Sequence, residues 1–427
     1  MTEPHDSGNT APSRVTKRPL GLARRHVAER RFRIYGIASI LIAVGALCLL
    51  LGTMTARGWS AFFQTHIRLD IEFTESLIDP DRKRDAAALG EANYRALVHR
   101  AIYARFPDVE SRRDRRALAA LVSLSAGFDI GAMVVSDPGL IGTRHTLWLV
   151  AADEADQHIK GRPARLSKQQ IGWLDQLRSQ GRVEKQFNTR FFTAGDSREP
   201  EIAGIRGAMV GSALTILVTL MLAFPFGLAA AVYLEEFAPK NRLSDIIEVN
   251  INNLAAVPSI VFGLLGLAVF LNVAGLPRSA PLVGGMVLAL MTLPTIIITG
   301  RAALGAVPPS IREGALAIGA SPMQAVLHHV LPLALPGILT GAIIGTARAL
   351  GETAPLLMIG MVAFIVDVPQ RITDPATVLP IQIFLWADSP ERAFVERTAA
   401  ATLVLLAFLI VLNLAAVILR RKFEHRW

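Results

Sequence analysis

The chain is almost free of cysteine. Its 427 residues contain one, Cys48, and that residue falls inside an apolar run. A single cysteine excludes an internal disulfide and any metal site built from several cysteines. The sequence therefore points away from a disulfide-stapled domain and from a cysteine-ligated metal protein.

Motifs of two catalytic classes are also absent. The chain contains no G-x-x-x-x-G-K-[ST] loop, so it lacks the glycine-rich turn that cradles a triphosphate in the P-loop manner. It contains no H-E-x-x-H helix, and no serine and histidine are paired within its apolar runs. We therefore predict that the chain is not an enzyme, holds no cofactor or metal itself, and takes energy from a partner.

The charge balance is basic but does not indicate nucleic acid. Lysine and arginine total 44 against 35 acidic residues, which gives a net charge of +9. Nucleic-acid surfaces carry clustered basic residues, and here no basic patch is interleaved with aromatic residues. Much of the excess instead flanks apolar runs, as expected of a protein that sits in a membrane.

Long apolar runs dominate the rest of the chain, of which 52% is hydrophobic. Six runs are each long enough to cross a hydrocarbon core of roughly 30 Å. They predict an all-α polytopic membrane protein with about six transmembrane helices. The predicted spans cover residues 34–56, 207–234, 254–273, 282–300, 337–366 and 398–419.

The basic residues predict how these spans are oriented. Seven lysines and arginines lie between residues 17 and 33, and the positive-inside rule then puts the N-terminus in the cytoplasm. Six crossings return the C-terminus to the same side. The predicted segments are a basic N-terminal segment (1–33), an anchor helix (34–56), a periplasmic insert (57–203), a transmembrane domain (204–421) and a basic tail (422–427).

The insert has the mixed composition of a water-soluble domain, and we expect an α/β fold. Its role is not predicted, because no catalytic arrangement of side chains is visible in it. Ser167 is a suitable N-cap for one of its helices. The strand-like segments are "IRLDIEF" (67–73), "HTLWLVA" (145–151) and "QFNTRFF" (186–192), and helices are expected near 84–105 and over 167–181.

The polar segment 307–332, between the fourth and fifth predicted spans, is patterned as a helix pair. Ser310 and Glu313 have the spacing of a capping box that starts the first helix. Gly319 can end that helix in a left-handed conformation, and Ser321 can start the second. Two capped helices joined by a tight turn predict a docking element rather than a slack linker.

The same loop resembles the E-A-A, three residues, G, nine residues, I-x-L-P motif of bacterial ABC importer permeases. Gly314 replaces the first alanine of the motif, and His329 stands in place of its isoleucine. The resemblance implies that the loop couples the spans to an ATPase subunit; the alternative is that these residues only cap and end a surface helix. The matching coupling residues are Glu313, Ala315, Gly319 and Pro332, with Leu331 before the proline.

Three further segments narrow the resemblance: "YLEEFAPKNRL" (233–243), "NLAAVPSIVFGLLGL" (253–267) and "ARALGETAPL" (347–356). Together they resemble the permease subunit of the phosphate ABC importer, the PstA type, over about residues 205–425. The resemblance implies import of inorganic phosphate across the bacterial inner membrane. The implied partners are a second related permease, two copies of a cytoplasmic subunit that binds ATP and Mg²⁺, a periplasmic phosphate-binding protein and membrane lipid.

The last of these segments, 347–356, places two charged residues, Arg348 and Glu352, inside an apolar run. A planar guanidinium pairs bidentately with an oxyanion and stays charged when buried. Glu352 follows four residues later, so on a helix it can neutralise the arginine when no anion is present. We predict that Arg348 and Glu352 belong to the substrate pathway; the alternative is a permanent ion pair that pins neighbouring spans.

Two further residues, Arg301 and Ser259, are candidates for the substrate pathway, and each has a structural alternative. Arg301 closes the fourth predicted span, where it is a second pathway cation or a plain positive-inside anchor. Ser259 follows a proline and either donates to an anion or satisfies its own backbone. Gly337, Gly341 and Gly345 repeat every four residues and predict close helix packing, which we expect against a partner subunit.

Other functions remain open at this point. Arginine alone does not separate phosphate from sulfate or molybdate, so another oxyanion is the nearest alternative cargo. A membrane-tethered sensor or scaffold with a working outer domain is a further alternative, although such a tether requires neither six spans nor a capped cytoplasmic loop.

Overall fold

The computed structural model describes residues 22–80, 82, 84–362 and 364–423. Predictions for residues 1–21 of the basic N-terminal segment and for residues 424–427 of the tail lie outside this part. The chain divides after Thr53 into two compact units.

Helix α1, Leu22–Gly58, contains the predicted anchor at 34–56. Within residues 29–62, the most apolar 18-residue window has a mean hydropathy of 2.6, and none of its residues is buried. An apolar helix of this length without a polar face suits hydrocarbon surroundings. The prediction of a helix of spanning length is therefore confirmed.

A three-stranded antiparallel sheet follows α1. Strand β1 (Phe63–Glu72) lies between β2 (Arg144–Val150) and β3 (Val183–Phe187). The alternation predicted for 67–73 is confirmed, because one set of side chains of β1 forms the core of the insert. The fully buried apolar members of that set are Ile67, Leu69 and Ile71.

Short helices surround this sheet and complete the insert. One of them, predicted over 167–181, is confirmed: the Ser167 hydroxyl accepts from Gln170 N at 3.2 Å, and the Gln170 side chain accepts from Ser167 N at 3.0 Å. The helices are α2 (Glu75–Ile78), α3 (Ala86–Glu91), α4 (Tyr94–Tyr103), α5 (Arg112–Ala119), α6 (Ser125–Ser136), α7 (Asp153–Ile159), α8 (Lys168–Ser179) and α9 (Thr189–Thr193).

Two elements of the insert differ from prediction, and an asparagine cap explains each. The helix expected over 84–105 is divided, because the Asn93 side chain accepts from Ala96 N and begins α4. The strand expected over 186–192 ends at Phe187. Asn188 starts α9 by accepting from the backbone N–H three residues on.

The remaining helices form an apolar bundle. In the described part of the chain, five helices, α1 among them, are long and apolar enough to cross a membrane, or six if one bent pair counts as a span. The helices are α10 (Arg206–Val232), α11 (Arg242–Ala255), α12 (Ser259–Leu265), α13 (Pro281–Gly305), α14 (Pro309–Ala317), α15 (Pro322–Ala325), α16 (Leu331–Gly351), α17 (Ala354–Met358), α18 (Leu379–Ala387) and α19 (Ala393–Phe423).

The third predicted span is broken. Helices α11 and α12 meet at an angle of 104°, and a π-helical segment extends α12 to Val273. The bend falls at Pro258, which has no backbone N–H to continue a helix. The predicted span 254–273 therefore covers mainly the second arm of this bent pair, and its residues 254–255 belong to the first arm.

The fifth predicted span is shifted towards the N-terminus. One helix runs over Pro322–Gly351 through a π-helical turn, whereas the prediction was 337–366. Residues 322–332 of the predicted coupling loop therefore belong to this span. The helix ends at Gly351 because Glu352 takes an extended backbone (φ −79°, ψ 124°).

Glycines bring α16 against α13. A Cβ on Gly341 would lie 1.8 Å from Thr299 Oγ1, and one on Gly345 would lie 2.6 Å from Thr292 Cγ2. The close packing predicted from these glycines exists, but it joins two helices of this chain rather than a partner subunit. It also fixes α13 and α16 as antiparallel neighbours.

Candidate functional site

Arg348 and Glu352 pair at the C-terminal end of α16. Arg348 Nε lies 3.6 Å from Glu352 Oε1, and the two side chains are 54% and 22% exposed. Arg348 occupies the last helical turn, where a cation is favoured by the helix dipole. Glu352 therefore contacts only one edge of the guanidinium. The other N–H groups of Arg348 have no hydrogen-bond partner among the described residues. Among the described residues Glu352 is its one ionic partner.

Ser259 lies in the first turn of α12, directly after Pro258. Its hydroxyl makes no hydrogen bond within the described part of the chain, so the alternative that it satisfies its own backbone is not realised here. Helix α12 packs tightly on α17, since a Cβ on Gly263 would lie 2.7 Å from Pro355 Cα. The Ser259 hydroxyl therefore has no hydrogen-bond partner among the described residues, and its helix α12 contacts α17, which follows Glu352.

Arg301 lies at the opposite end of the α13–α16 pair from Arg348. Gly337 faces Ala303, while Gly345 faces Thr292, so the two arginines are separated by about seven to eleven residues of helix, on the order of 10–16 Å. The structure does not bring them into one site.

Two carboxylates neutralise Arg301. Its Nε lies 3.2 Å from Glu235 Oε2, and its Nη1 lies 3.1 Å from Glu248 Oε2. The three groups join α13 to α11 and to the π-helical segment Tyr233–Phe237. Because two carboxylates already pair with its guanidinium, Arg301 fits the role of an anchor better than that of a pathway cation.

The predicted coupling residues lie on and after α14. Glu313 and Gly319 are exposed, Ala315 is buried, and Pro332 is exposed near the start of α16. Gly319 has a φ of +93°, so it ends the helix in the left-handed conformation that was predicted.

The predicted capping box of Ser310 and Glu313 is wrong. Pro308 is the N-cap residue and Pro309 opens α14, so Ser310 lies inside the first turn and caps nothing. A proline is favoured at the first helical position, where no N–H is needed. Ser321 does start the second helix, because its hydroxyl accepts from Gln324 N at 3.3 Å.

A surface of exposed apolar side chains accompanies these two helices. We call it the loop surface; it comprises Leu316, Ile318, Met323 and Leu327. Such a patch on a polar loop is typical of a protein contact.

An ion pair that sequence analysis missed holds α14 in place. Arg312 Nε donates to Glu236 Oε2 at 3.0 Å, and Arg312 also donates to the Leu304 and Val307 carbonyl oxygens. The hydrogen bond with Glu236 raises the pKa of Arg312 above its ordinary value. In the sequence, this pair was indicated only by the two adjacent glutamates of "YLEEF" and by Arg312 in the loop.

A second missed cluster joins the insert to α19. The Glu396 side chain is 2% exposed; it accepts from Lys160 Nζ at 2.8 Å and from Gln157 Nε2 at 3.0 Å. Lys160 is also bound to Asp156, whose carboxylate lies 2.6 Å away. Nothing in the sequence spacing links residues more than two hundred positions apart, so contact in space alone reveals this cluster.

An apolar bundle of spanning-length helices with a polar loop is typical of a multi-pass membrane protein. Residues 223–427 match the sequence profile of the binding-protein-dependent transport system inner membrane component. Residues 20–169 match a separate domain of unknown function, DUF3333.

Relatives agree with this class. The chain is 30% identical to the probable ABC transporter permease protein YqgI of Bacillus subtilis, over 54% of this chain and 82% of the relative. It is 33% identical to the phosphate transport system permease protein PstA 1 of Mycobacterium tuberculosis (51% and 70%) and 32% identical to PstA of Yersinia pestis (52% and 74%). The chain belongs to the binding-protein-dependent transport system inner membrane component family, as an ABC permease of the PstA type.

Among solved structures, the MetNI methionine ABC transporter is similar with a TM-score of 0.43 at 21% identity, over 52% of this chain and 96% of that chain. The predicted class, a multi-pass inner-membrane permease subunit of an ABC transporter, is confirmed by the sequence relatives.

Proposed function

We propose that this chain is the permease subunit of an ATP-driven importer that carries inorganic phosphate across the bacterial inner membrane. The observation that carries the proposal is the Arg348–Glu352 pair, whose half-exposed guanidinium keeps donors free for an oxyanion. The phosphate transport permeases among its relatives support the choice of cargo.

Competition between Glu352 and the anion would make binding reversible. Phosphate at neutral pH carries one or two negative charges and several acceptor oxygens, so it can accept paired hydrogen bonds from Arg348. A partly exposed ion pair is worth only about 0–1 kcal/mol, and an anion therefore displaces the Glu352 carboxylate at little cost. After release, Glu352 reoccupies the guanidinium.

Ser259 takes a secondary place in this pathway, and Arg301, which two carboxylates already neutralise, takes a lower one. The unpaired hydroxyl of Ser259 supplies one further donor along α12. Arg301 is proposed to act at the cytoplasmic end, where substrate would have to compete with Glu235 and Glu248 for it.

The loop surface is proposed to dock on one of two cytoplasmic ATPase subunits. Glu313, Gly319 and Pro332 would lie in the contact, and the buried Ala315 would lie beneath it on α14. ATP and Mg²⁺ would be bound by those subunits and not by this chain. Closure of the ATPases would move α14, and the Arg312–Glu236 pair would transmit that movement to the end of α10.

The proposed topology places both termini in the cytoplasm and the insert in the periplasm. The proposed segments are 1–33, the anchor 34–56, the insert 57–203, the transmembrane domain 204–421 and the tail 422–427. A second related permease would complete the pathway, and a periplasmic phosphate-binding protein would deliver the substrate. Alternating access would then expose Arg348 to each side in turn.

Uptake measurements in cells that lack this chain test the proposal. Wild type, Arg348→Gln and Glu313→Lys are expressed at matched membrane levels, and radiolabelled phosphate and sulfate uptake are followed in parallel. We expect wild type to restore phosphate uptake alone, and both variants to lose it. Restored sulfate uptake without phosphate would assign another oxyanion, and normal phosphate uptake by Arg348→Gln would make the pair structural.

A further inference from the structure

Helices α10, α16 and α19 form an apolar groove that the proposed phosphate pathway does not use. Its volume is about 370 Å³, and none of the described residues that line it is charged. Leu339 and Thr346 mark its ends on α16, and Leu412 and Leu419 mark them on α19. Seven residues of helix measure about 10 Å, so the groove has about that length. The Thr346 hydroxyl is bonded to the Ala342 carbonyl oxygen, so the side chains of the groove offer apolar contacts.

The groove is open on one side. Met221 of α10 and Leu419 of α19 both line it, and they are 65% and 50% exposed. Exposed apolar side chains on helices of spanning length indicate hydrocarbon surroundings. An acyl chain of the surrounding lipid can therefore enter the groove from the side.

Basic residues lie at one end of the groove. Leu419, which lines it, is followed by Arg420, Arg421 and Lys422 at the end of α19. The apolar stretch 398–419 measures about 33 Å as a helix, whereas a hydrocarbon core measures roughly 30 Å. The three cations therefore come at the level of the lipid head groups.

Arg420 is tied to the neighbouring helix. Its Nη1 donates to Thr340 Oγ1 at 3.2 Å, and Thr340 follows Leu339, which lines the same groove. Arg421 and Lys422 are exposed and make no ion pair within the described residues. A charge that only sets the orientation of a span needs neither a tethered guanidinium nor a groove beside it. The arrangement instead combines cations for a head group with a channel for an acyl chain.

We propose that this groove binds an anionic phospholipid, with its phosphate group on Arg420, Arg421 and Lys422 and one acyl chain between the three helices. Guanidinium groups pair with phosphate oxygens through directed hydrogen bonds, and lysine adds a further positive charge. Basic residues at the end of a spanning helix attract anionic lipid head groups. A helix of another protein would also bring apolar side chains to the groove, but the cations at its end favour an occupant that carries phosphate. The inference does not depend on the cargo of the bundle.

Native mass spectrometry of the full chain in detergent tests this site. The chain is titrated with palmitoyl-oleoyl phosphatidylglycerol and, separately, with phosphatidylcholine of the same acyl chains. Each basic residue near an anionic lipid strengthens binding about five-fold, so for the two exposed cations we expect one phosphatidylglycerol to bind about 25-fold more tightly than phosphatidylcholine. Glycerol phosphate carries the phosphate without acyl chains, and we expect that it does not displace the lipid.

Two double variants that remove equal charge test the head-group contact. Arg421→Gln with Lys422→Gln removes the exposed cations at the groove and should abolish the preference of about 25-fold for phosphatidylglycerol. Lys240→Gln with Arg242→Gln removes two exposed cations from α11 and the loop before it, and should leave the preference unchanged. An equal loss in both double variants would show attraction by net charge alone and would overturn the site.

Two neighbouring alanines of α19 test the acyl-chain contact. Ala416 lines the groove, whereas Ala415 is exposed and does not. Ala416→Phe should weaken phosphatidylglycerol binding about ten-fold, because the ring occupies the space of the acyl chain, and Ala415→Phe should not. Unfolding temperatures show that each variant is folded. Equal binding by Ala416→Phe and wild type, or equal binding of both phospholipids by wild type, would overturn the proposal, and so would displacement by glycerol phosphate, which would indicate a site for free phosphate.

Discussion

The Glu236 carboxylate holds Arg312 from the loop that follows the fourth helix of the bundle. The side chain of Glu236 is only 7% exposed, and it accepts from Arg312 Nε at 3.0 and 3.2 Å. The same guanidinium donates to the carbonyl oxygens of Leu304 and Val307 at 2.9 and 2.8 Å. One side chain thus joins α10, the end of α13 and α14, so α14 moves together with the bundle.

Glu236→Gln is the first prediction. Loss of the negative charge leaves Arg312 without its ionic partner. Removing one partner of a fully buried pair costs roughly 3–5 kcal/mol; because the Arg312 side chain is 24% exposed, we expect about 2–3 kcal/mol. The unfolding temperature of the purified chain in detergent should fall, and phosphate uptake should be lost at matched membrane levels.

Lys240→Gln is the control for this change. Lys240 is exposed in the loop after the π-helical segment and makes no ion pair within the described residues, so its loss should change neither measurement. Unfolding of Glu236→Gln at the wild-type temperature would show that the pair does not hold α14.

The second prediction concerns Glu352→Gln. The amide competes less well than the carboxylate for the Arg348 guanidinium, so an anion meets less competition. A partly exposed pair contributes up to about 1 kcal/mol, which corresponds to roughly a five-fold lower KM for phosphate. We expect the maximal rate to fall as well, because release slows. An unchanged KM, with the exposed control Glu110→Gln also unchanged, would mean that Glu352 does not compete with substrate.

Local sequence patterns predicted helices and strands well where neighbouring residues set the ends of the element. The period-two apolar pattern of β1, the cap at Ser167 and the left-handed glycine at 319 are all fixed by neighbouring residues. The fifth span was misplaced because the apolar run continues past Gly351, while the backbone turns at Glu352. Hydropathy measures composition and does not sense that turn.

Most of the ion pairs at the candidate site that the sequence did not predict are contacts between residues far apart in the chain. Arg348 and Glu352 were found because they are four residues apart on one helix end. The partners of Arg301 and Arg312 lie more than fifty residues away, and so do those of Glu396. Their pairing depends on which helices pack together, and a single sequence does not contain that information.

The third prediction compares two glycine substitutions. In Gly341→Ala the new Cβ would lie 2.5 Å from Thr299 Cβ, which rotation of the threonine side chain cannot relieve. We expect α13 and α16 to separate, at a cost of about 1–3 kcal/mol. In Gly314→Ala nothing lies within 4 Å of the new Cβ, and the exposed helix should gain up to about 1 kcal/mol. Thermal unfolding of both variants in detergent measures the difference; equal temperatures would contradict the close packing.

The fourth prediction is a pH dependence of stability that Asp153→Asn removes. The pKa of Asp153 rises from an ordinary 3.8 to about 7 in the folded chain, because burial and the charge of Glu201 oppose ionisation. Between those two values the folded state binds more protons than the unfolded state, so this group's contribution to stability falls as pH rises towards 7 and is lost above it.

Asparagine avoids the cost of ionising that buried group. The unfolding temperature of Asp153→Asn should therefore exceed that of wild type by more at pH 8 than at pH 5. The measurement is the difference between the two proteins at each pH, because other ionisable groups affect both proteins alike. A difference that stays constant from pH 5 to pH 8 would show that Asp153 is ionised throughout this range, and that its neighbours already supply the cation which its buried oxygen lacks.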